Sequence, residues 1–192
     1  MRIDRLPPLG PDQWTPEQRK AAEEIIAGPR GGLIAPFVPL LRSPELMGHA
    51  QRMGEYLRYR NSLGLRFSEL AILITARHWS QQVEWGIHAP IALREGVSAA
   101  SVEAIAAGRR PEGMDGDESA VHDFCIELLR EKAVSDSGWA AVVERFGDRG
   151  AIDLIGINGY YGFLAMVMNA AQTAAPHCEM PPLPTKGSDE AA

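Results

Sequence analysis

Apolar positions along this chain recur at the three-to-four-residue spacing of helices, and no run alternates in the manner of a strand. The clearest case is Val121, Phe124, Cys125, Leu128 and Leu129, which fall at i, i+3, i+4, i+7 and i+8 and draw one apolar stripe. Cys125 lies on that stripe, which marks it as a small core residue. Start and stop signals divide the rest. Thr15-Pro16-Glu17-Gln18 reads as N-cap, first-turn proline and N3 glutamine, opening a helix that Gly28 ends. Residues 31–41, with Pro36 and Pro39, read as an apolar loop or extended segment. Ser43-Pro44-Glu45 repeats the start signal for a second helix to about Tyr59.

Ser68 is expected to cap a third helix, with Leu70, Leu73 and Ile74 on its apolar face. A fourth spans about Ser80 to Glu95, and Ser98 opens a short fifth that Gly108 ends. Residues 109–117, rich in Gly, Pro and Asp, read as a flexible loop before the Val121 stripe. Ser135 caps a seventh helix carrying Trp139, Val142, Val143 and Phe146, and Asp148 caps an eighth reaching about Ala174. The expected fold is all-α, a compact bundle of seven to eight helices. Residues 42–175 form its main domain, and residues 1–41 add an N-terminal helix and extended segment packed on it. Residues 176–192, with Pro181, Pro182 and Pro184, form an extended tail that is mobile at its end.

The eighth helix carries Gly156, Gly159 and Gly162. Each interior helical glycine costs about 1 kcal/mol relative to alanine, so three at this spacing predict close packing, in the core or against another subunit. The stretch from Leu154 to Ala171 is apolar apart from Asn158 and Asn169 and invites a membrane reading. Its glycines and the lack of a basic flank favour a buried core or interface helix.

Composition narrows the partners. A chain of 192 residues buries about 70% of its unfolded surface and folds without a disulfide or metal. The formal net charge is −6 and no basic stripe forms, which argues against nucleic acid and anionic membrane. Cys125 and Cys178 are far apart and make neither a C-x-x-C pair nor a zinc set. With no apolar signal segment in residues 1–10, a reducing, cytoplasmic compartment is expected.

Candidate chemistry sits on the helix over residues 80–95. Advancing by about 100° per residue, Gln81, Glu84, His88 and Glu95 share one narrow stripe. Val83, Trp85, Ile87, Pro90, Ile91 and Leu93 make most of the remaining circumference apolar. If the stripe faces water, Glu84 and His88 form an i,i+4 surface pair worth about 0.2–0.5 kcal/mol. If it faces a pocket, Glu84 fixes the imidazole tautomer and His88 gives or takes a proton. Pro90 lacks the N–H that the Gly86 carbonyl would accept, so the helix either kinks or leaves that acceptor for a water or ligand. Glu69, beside Ser68, reads by itself as a first-turn carboxylate complementing the helix dipole.

Glu69 through Leu73, Arg77-His78-Trp79, Val83 through Ala92 and Arg94-Glu95-Gly96-Val97 together resemble the carboxymuconolactone decarboxylase family. That family shares its all-helical fold with the alkylhydroperoxidase D-type proteins. Val134 through Trp139, Arg145 through Arg149 and the helix from Asn158 to Asn169 fit its C-terminal half, so the resemblance spans residues 40–175. In the peroxidase branch a glutamate precedes a C-x-x-C pair, and a histidine follows four residues after the second cysteine. Aligned on His88, the cysteine positions hold Gln81 and Glu84, and the upstream glutamate is Glu69. Without those thiols, disulfide-based peroxide reduction has no nucleophile here.

The resemblance therefore implies the branch without C-x-x-C. It suggests a cofactor-free lyase or isomerase, of carboxy-lyase type, acting on a small carboxylated lactone or another intermediate of aromatic catabolism. His88 would be its general acid/base, with Glu84 and Glu69 as catalytic neighbours. Gln81, Trp85, Arg58, Arg60 and Arg66 would bind substrate, although each arginine alone also reads as part of a solvated basic turn. No metal or cofactor is called for, and relatives assemble as homotrimers or homohexamers. The alternatives are a non-catalytic oligomeric binding protein and, with less support, a thiol peroxidase relying on Cys125 or Cys178.

Overall fold

Thr15 opens the first helix through a reciprocal cap. Its hydroxyl accepts the Gln18 N–H at 3.2 Å, and the Gln18 side chain accepts the Thr15 N–H at 3.0 Å. Helix α1 (Pro16–Ala27) then buries Ala22 and Ile25. The computed structural model describes residues 3–175 and 180–184, and among these it is all-helical, with no strand. After α1 come α2 (Phe37–Leu40), α3 (Pro44–Tyr59), α4 (Leu65–His78) and α5 (Gln82–Arg94). They are followed by α6 (Ala99–Ala106), α7 (Gly116–Glu131) and α8 (Asp136–Ala171).

Several boundaries depart from the sequence expectation, each for a local reason. Ser43 stands at the N-cap of α3, but its side chain makes no capping bond. Helix α4 begins a turn before Ser68, at a Gly64 N-cap whose φ of 82° suits glycine. Ser68 is interior, and its hydroxyl donates back to the Leu65 carbonyl at 3.1 Å. The earlier start carries Glu69 past the first turn and into the core. Helix α5 is capped by Gln81, whose side-chain oxygen accepts the Val83 N–H at 2.7 Å, while Ser80 lies in the preceding turn at φ 51°. The helix continues through Pro90 without a break. Ser98 and Ser135 cap α6 and α8 as read from the sequence. The expected boundary near Asp148 appears as a sharp bend inside α8 at Gly147, with φ 68° and ψ 174°.

Helix α4 is the centre of the bundle. Every residue from Ser68 to Ala76 is buried, and the helix packs against α5, α7 and α8, as a helix apolar on nearly all sides must. Helix α8 is long and apolar enough to cross a membrane, yet 61% of its most apolar window is buried within the bundle. Two of its glycines allow close approach. A Cβ on Gly156 would stand 3.1 Å from Leu57 of α3, and one on Gly162 would stand 3.1 Å from the Trp79 indole. Gly159 instead faces open space.

The N-terminal segment belongs to this core, with Phe37, Leu40 and Leu41 buried in it and the Arg5 N–H donating to the Ala171 carbonyl at 2.8 Å. The loop over residues 109–117, expected to be flexible, is tied at both ends. Arg110 pairs with Asp123, Arg66 pairs with Asp115, and Pro111 is buried. Residues 180–184 are extended, as expected, but pinned. Leu183 is buried, its N–H donates to Gln82 and its carbonyl accepts from the same side chain, both at 2.9 Å. Pro176, Cys178 and the end of the expected tail lie outside the described residues.

Candidate active site

The polar stripe of α5 faces inward. Gln81, Glu84 and His88 are 3%, 3% and 5% exposed, so the water-facing reading fails. The stripe meets α4 and α8, which supply its partners. His88 Nδ1 lies 2.7 Å from Glu69 Oε2, and both side chains are buried. An N–H at Nδ1 donating to this carboxylate orients the ring and leaves Nε2 for chemistry. The partner of His88 is therefore Glu69 and not Glu84. Side chains at i and i+4 run side by side off one helix, whereas the facing helix presents its carboxylate head-on to the ring.

Glu84 is in an unusual state. Both of its carboxyl oxygens are buried and have no hydrogen-bond partner among the described residues. Burial pushes this carboxyl well above its ordinary value, so the neutral acid is favoured. The Tyr160 hydroxyl is likewise buried and unpartnered. Burial raises it to about 12, an effect that Arg30 and Arg58 oppose and Glu84 reinforces. The Tyr161 ring stands edge-on to His88, with centroids 5.1 Å apart. Its hydroxyl is pushed up by burial and, secondarily, by Glu69.

These groups surround a cavity of about 20 Å³, room for about one water molecule. Arg30, Arg58, Glu84, His88, Tyr160 and Tyr161 supply its polar lining. Ile34, Pro36, Val83, Ile87, Leu164 and Met168 supply the apolar part. Arg30 is held from behind, its Nε donating to Gln51 at 2.7 Å and its guanidinium lying over the Phe37 ring at 4.9 Å.

Four of the eight residues expected from the sequence come together here, namely His88, Glu69, Glu84 and Arg58. The other four do not. Gln81 caps α5 and donates to Asn169 at 2.8 Å. Trp85 is a core residue whose indole donates to the Pro181 carbonyl at 3.2 Å. Arg60 is exposed, 3.9 Å from Glu55. Arg66 pairs with Asp115 at 2.9 Å and Glu118 at 2.8 Å, at the start of α7.

Sequence reasoning missed Arg30, Tyr160 and Tyr161. The available signals were a lone cation in the Gly28-Pro-Arg-Gly-Gly turn and two adjacent phenols inside an otherwise apolar helix.

Cys125 is fully buried, as its place on the α7 stripe predicts. Burial lifts its thiol to about 12 even though the Asn158 amide donates to it at 3.2 Å. A thiol so held is neither nucleophile nor redox centre at neutral pH. Among the described residues, no three His, Cys, Asp or Glu side chains gather in a metal-binding group. The arrangement as a whole offers a carboxylate-backed imidazole, a buried carboxyl that favours its neutral form, two phenols and two guanidiniums around a small cavity. Those parts suit proton transfer on a bound anion.

No protein-family model and no curated protein matches the sequence. Solved structures do match. An alkylhydroperoxidase AhpD core protein from Ralstonia eutropha JMP134, uncharacterized and peroxidase-related, superposes with a TM-score of 0.74 at 16% identity, over 92% of this chain and 94% of that one. An AhpD-like protein of unknown function from Agrobacterium tumefaciens superposes at 0.64 and 14% identity, over 72% and 95%. The debrominase Bmp8, in complex with 2,3,4-tribromopyrrole, superposes at 0.69 and 14% identity, over 89% and 91%. The chain therefore has the alkylhydroperoxidase D-like fold.

Proposed function

We propose that this protein is a cofactor-free acid–base enzyme, a lyase or isomerase of the carboxymuconolactone decarboxylase kind. Its substrate is a small carboxylated lactone or related acid. The observation that carries this reading is the buried Glu69–His88 pair, 2.7 Å apart, beside a buried, unpartnered Glu84 and two arginines in a site with no thiol. Arg58 and Arg30 hold a substrate carboxylate. Loss of carbon dioxide breaks a C–C bond and leaves its electron pair in an enolate, toward which Glu84 and Tyr160 donate hydrogen bonds. In this step His88 acts as the imidazolium, N–H at both nitrogens; its Nε2 proton passes to carbon, and Glu69 steadies the ring as it becomes neutral. Solvent restores the proton after product leaves.

A cavity of one-water size does not admit a lactone, so the site opens to bind. Of its walls, only Arg30, Ile34 and Pro36 lie outside a helix, which makes that segment the moving part. His88→Ala lowers decarboxylation of carboxymuconolactone by about 10²–10⁴-fold with unchanged circular dichroism. Wild-type turnover in the variant removes His88 from the mechanism. An inactive wild type on carboxymuconolactone and related lactones removes the substrate class.

The closed cavity also favours a second reading, a binding protein that shuts on its ligand without turnover. It predicts saturable binding with no product. A homo-oligomer, trimer or hexamer, completes the proposal. Ile152, Ile155 and Met166 stand exposed along α8 with Gly159 between them, an apolar strip suited to a second copy. A monomer by light scattering contradicts it.

A further inference from the structure

A second cavity of about 260 Å³ shares no lining residue with the first. It lies where the end of α4 meets the loop after α6 and the length of α7. Four arginines line it, Arg77, Arg109, Arg110 and Arg130, against the one carboxylate of Asp123, in a chain whose net charge is −6. Asp123 neutralises only Arg110, through contacts of 3.0 and 2.8 Å. It also lies 2.8 Å from Nδ1 of the buried His122. Burial pushes the Asp123 carboxyl up, but Arg110 and His122 outweigh it and hold it below the usual carboxylate range. Asp123 is thus already committed to Arg110 and the His122 ring.

The other three guanidiniums have no acidic partner within ion-pair distance among the described residues. The Arg77 Nε is buried with no hydrogen-bond partner among the described residues. Its Nη2 lies within 3.3 Å of where a Cβ on Gly108 would stand, so the loop backbone closes tightly around it. Arg109 and Arg130 are exposed, with no acidic partner within ion-pair distance among the described residues. Arg77 and Arg130 stand in the last turns of α4 and α7, where a cation complements the dipole. Arg109 and Arg110 sit on a loop and have no such explanation. Ile74, Ile105 and Ile126 supply the apolar part of the lining, and His78, His122 and Gly108 complete it.

We propose that this cavity binds a small phosphomonoester. The dianionic phosphoryl group sits among Arg77, Arg109 and Arg130, and an apolar or aromatic body lies against the three isoleucines. The planar guanidinium fork matches phosphate oxygens two at a time. A dianion also answers the local surplus of positive charge better than a monocarboxylate does. The volume is just below the about 300–1,000 Å³ typical of drug-sized ligands, which fits a single ring bearing one phosphate.

The test is calorimetric titration of phenyl phosphate, inorganic phosphate and benzoate into the full chain. Phenyl phosphate saturates one site per chain with a Kd of about 1 mM or tighter, and benzoate binds about tenfold more weakly or worse. The double variant Arg109→Gln/Arg130→Gln changes two exposed side chains and keeps its circular dichroism, and its affinity falls about tenfold or more. Arg109→Lys/Arg130→Lys recovers part of that loss, and His88→Ala leaves binding unchanged. The proposal is overturned by no saturation up to about 10 mM, by benzoate matching phenyl phosphate, by the glutamine variant matching wild type, or by loss of binding in His88→Ala.

Discussion

Replacing Glu84 by glutamine keeps the side chain's shape and removes its titrating proton. In the folded chain Glu84 is buried with neither oxygen hydrogen-bonded, and burial lifts its pKa well above the ordinary 4.5. Unfolding returns it to water and to about that ordinary value. Between the two values the folded state holds a proton that the unfolded state has lost, so stability falls as pH rises through this window. One proton sets the limiting slope, about 1.4 kcal/mol per pH unit. For a chain of this size that is about 3–6 °C in Tm per pH unit. Below pH 4.5 the wild type and Glu84→Gln run parallel, because the carboxyl is protonated in both states. Above it the gap widens in favour of the variant until the folded-state value is passed. Urea unfolding of both chains from about pH 4 to pH 8 measures the gap directly. A constant gap, or one widening in favour of wild type, refutes the reasoning, because Glu84 would then be ionised and paired in the folded protein.

Glu69→Gln keeps an acceptor for His88 Nδ1 but removes its charge. Stabilisation of the imidazolium drops by about 1–2 kcal/mol, and steady-state turnover falls about tenfold while KM moves less. Cys125→Ala leaves turnover intact and lowers stability by about 1–2 kcal/mol. In the native wild type, mass spectrometry after treatment with a thiol reagent finds Cys125 unmodified. Gly54→Ala drives a methyl into the Tyr160 hydroxyl and to 2.8 Å from the Arg30 guanidinium. The overpacking destabilises by about 1–3 kcal/mol, read as a lowered calorimetric Tm together with reduced turnover.

Much of the fold is legible in the sequence because caps are local. Thr15, Ser98 and Ser135 each bond within three residues, so their signal survives without tertiary context. Ser68 misleads for the opposite reason, since packing of α4 begins the helix at Gly64 and turns the serine inward. For the site, a helical wheel groups Gln81, Glu84 and His88 but does not say what the stripe meets. The family resemblance added Glu69, and only the α4–α5 packing reveals it as the partner of His88. Arg58, Arg60 and Arg66 are close in sequence and far apart in role, because α3 ends at Tyr59. Arg58 stays on the helical face beside the cavity, whereas Arg60 turns to solvent. Arg30 carried no readable link to the site. It arrives through the path of the loop after α1, which no local spacing encodes.

The two ends of the described chain bear on how the molecule is made. Arg5 reaches across 165 residues to donate to the Ala170 carbonyl at the end of α8, and Gln82 at the start of α5 clasps Leu183 across 101 residues. The helices that carry Tyr160, Tyr161, Glu84 and His88 are thus fastened by segments from opposite ends of the described chain. During synthesis α5 leaves the ribosome 101 residues before its clasp exists, so the site reaches its final packing only after Leu183 has been made. Closures of such long range come late and slow folding. The pocket around Glu84 and His88 is therefore among the later parts of the described chain to reach its final form.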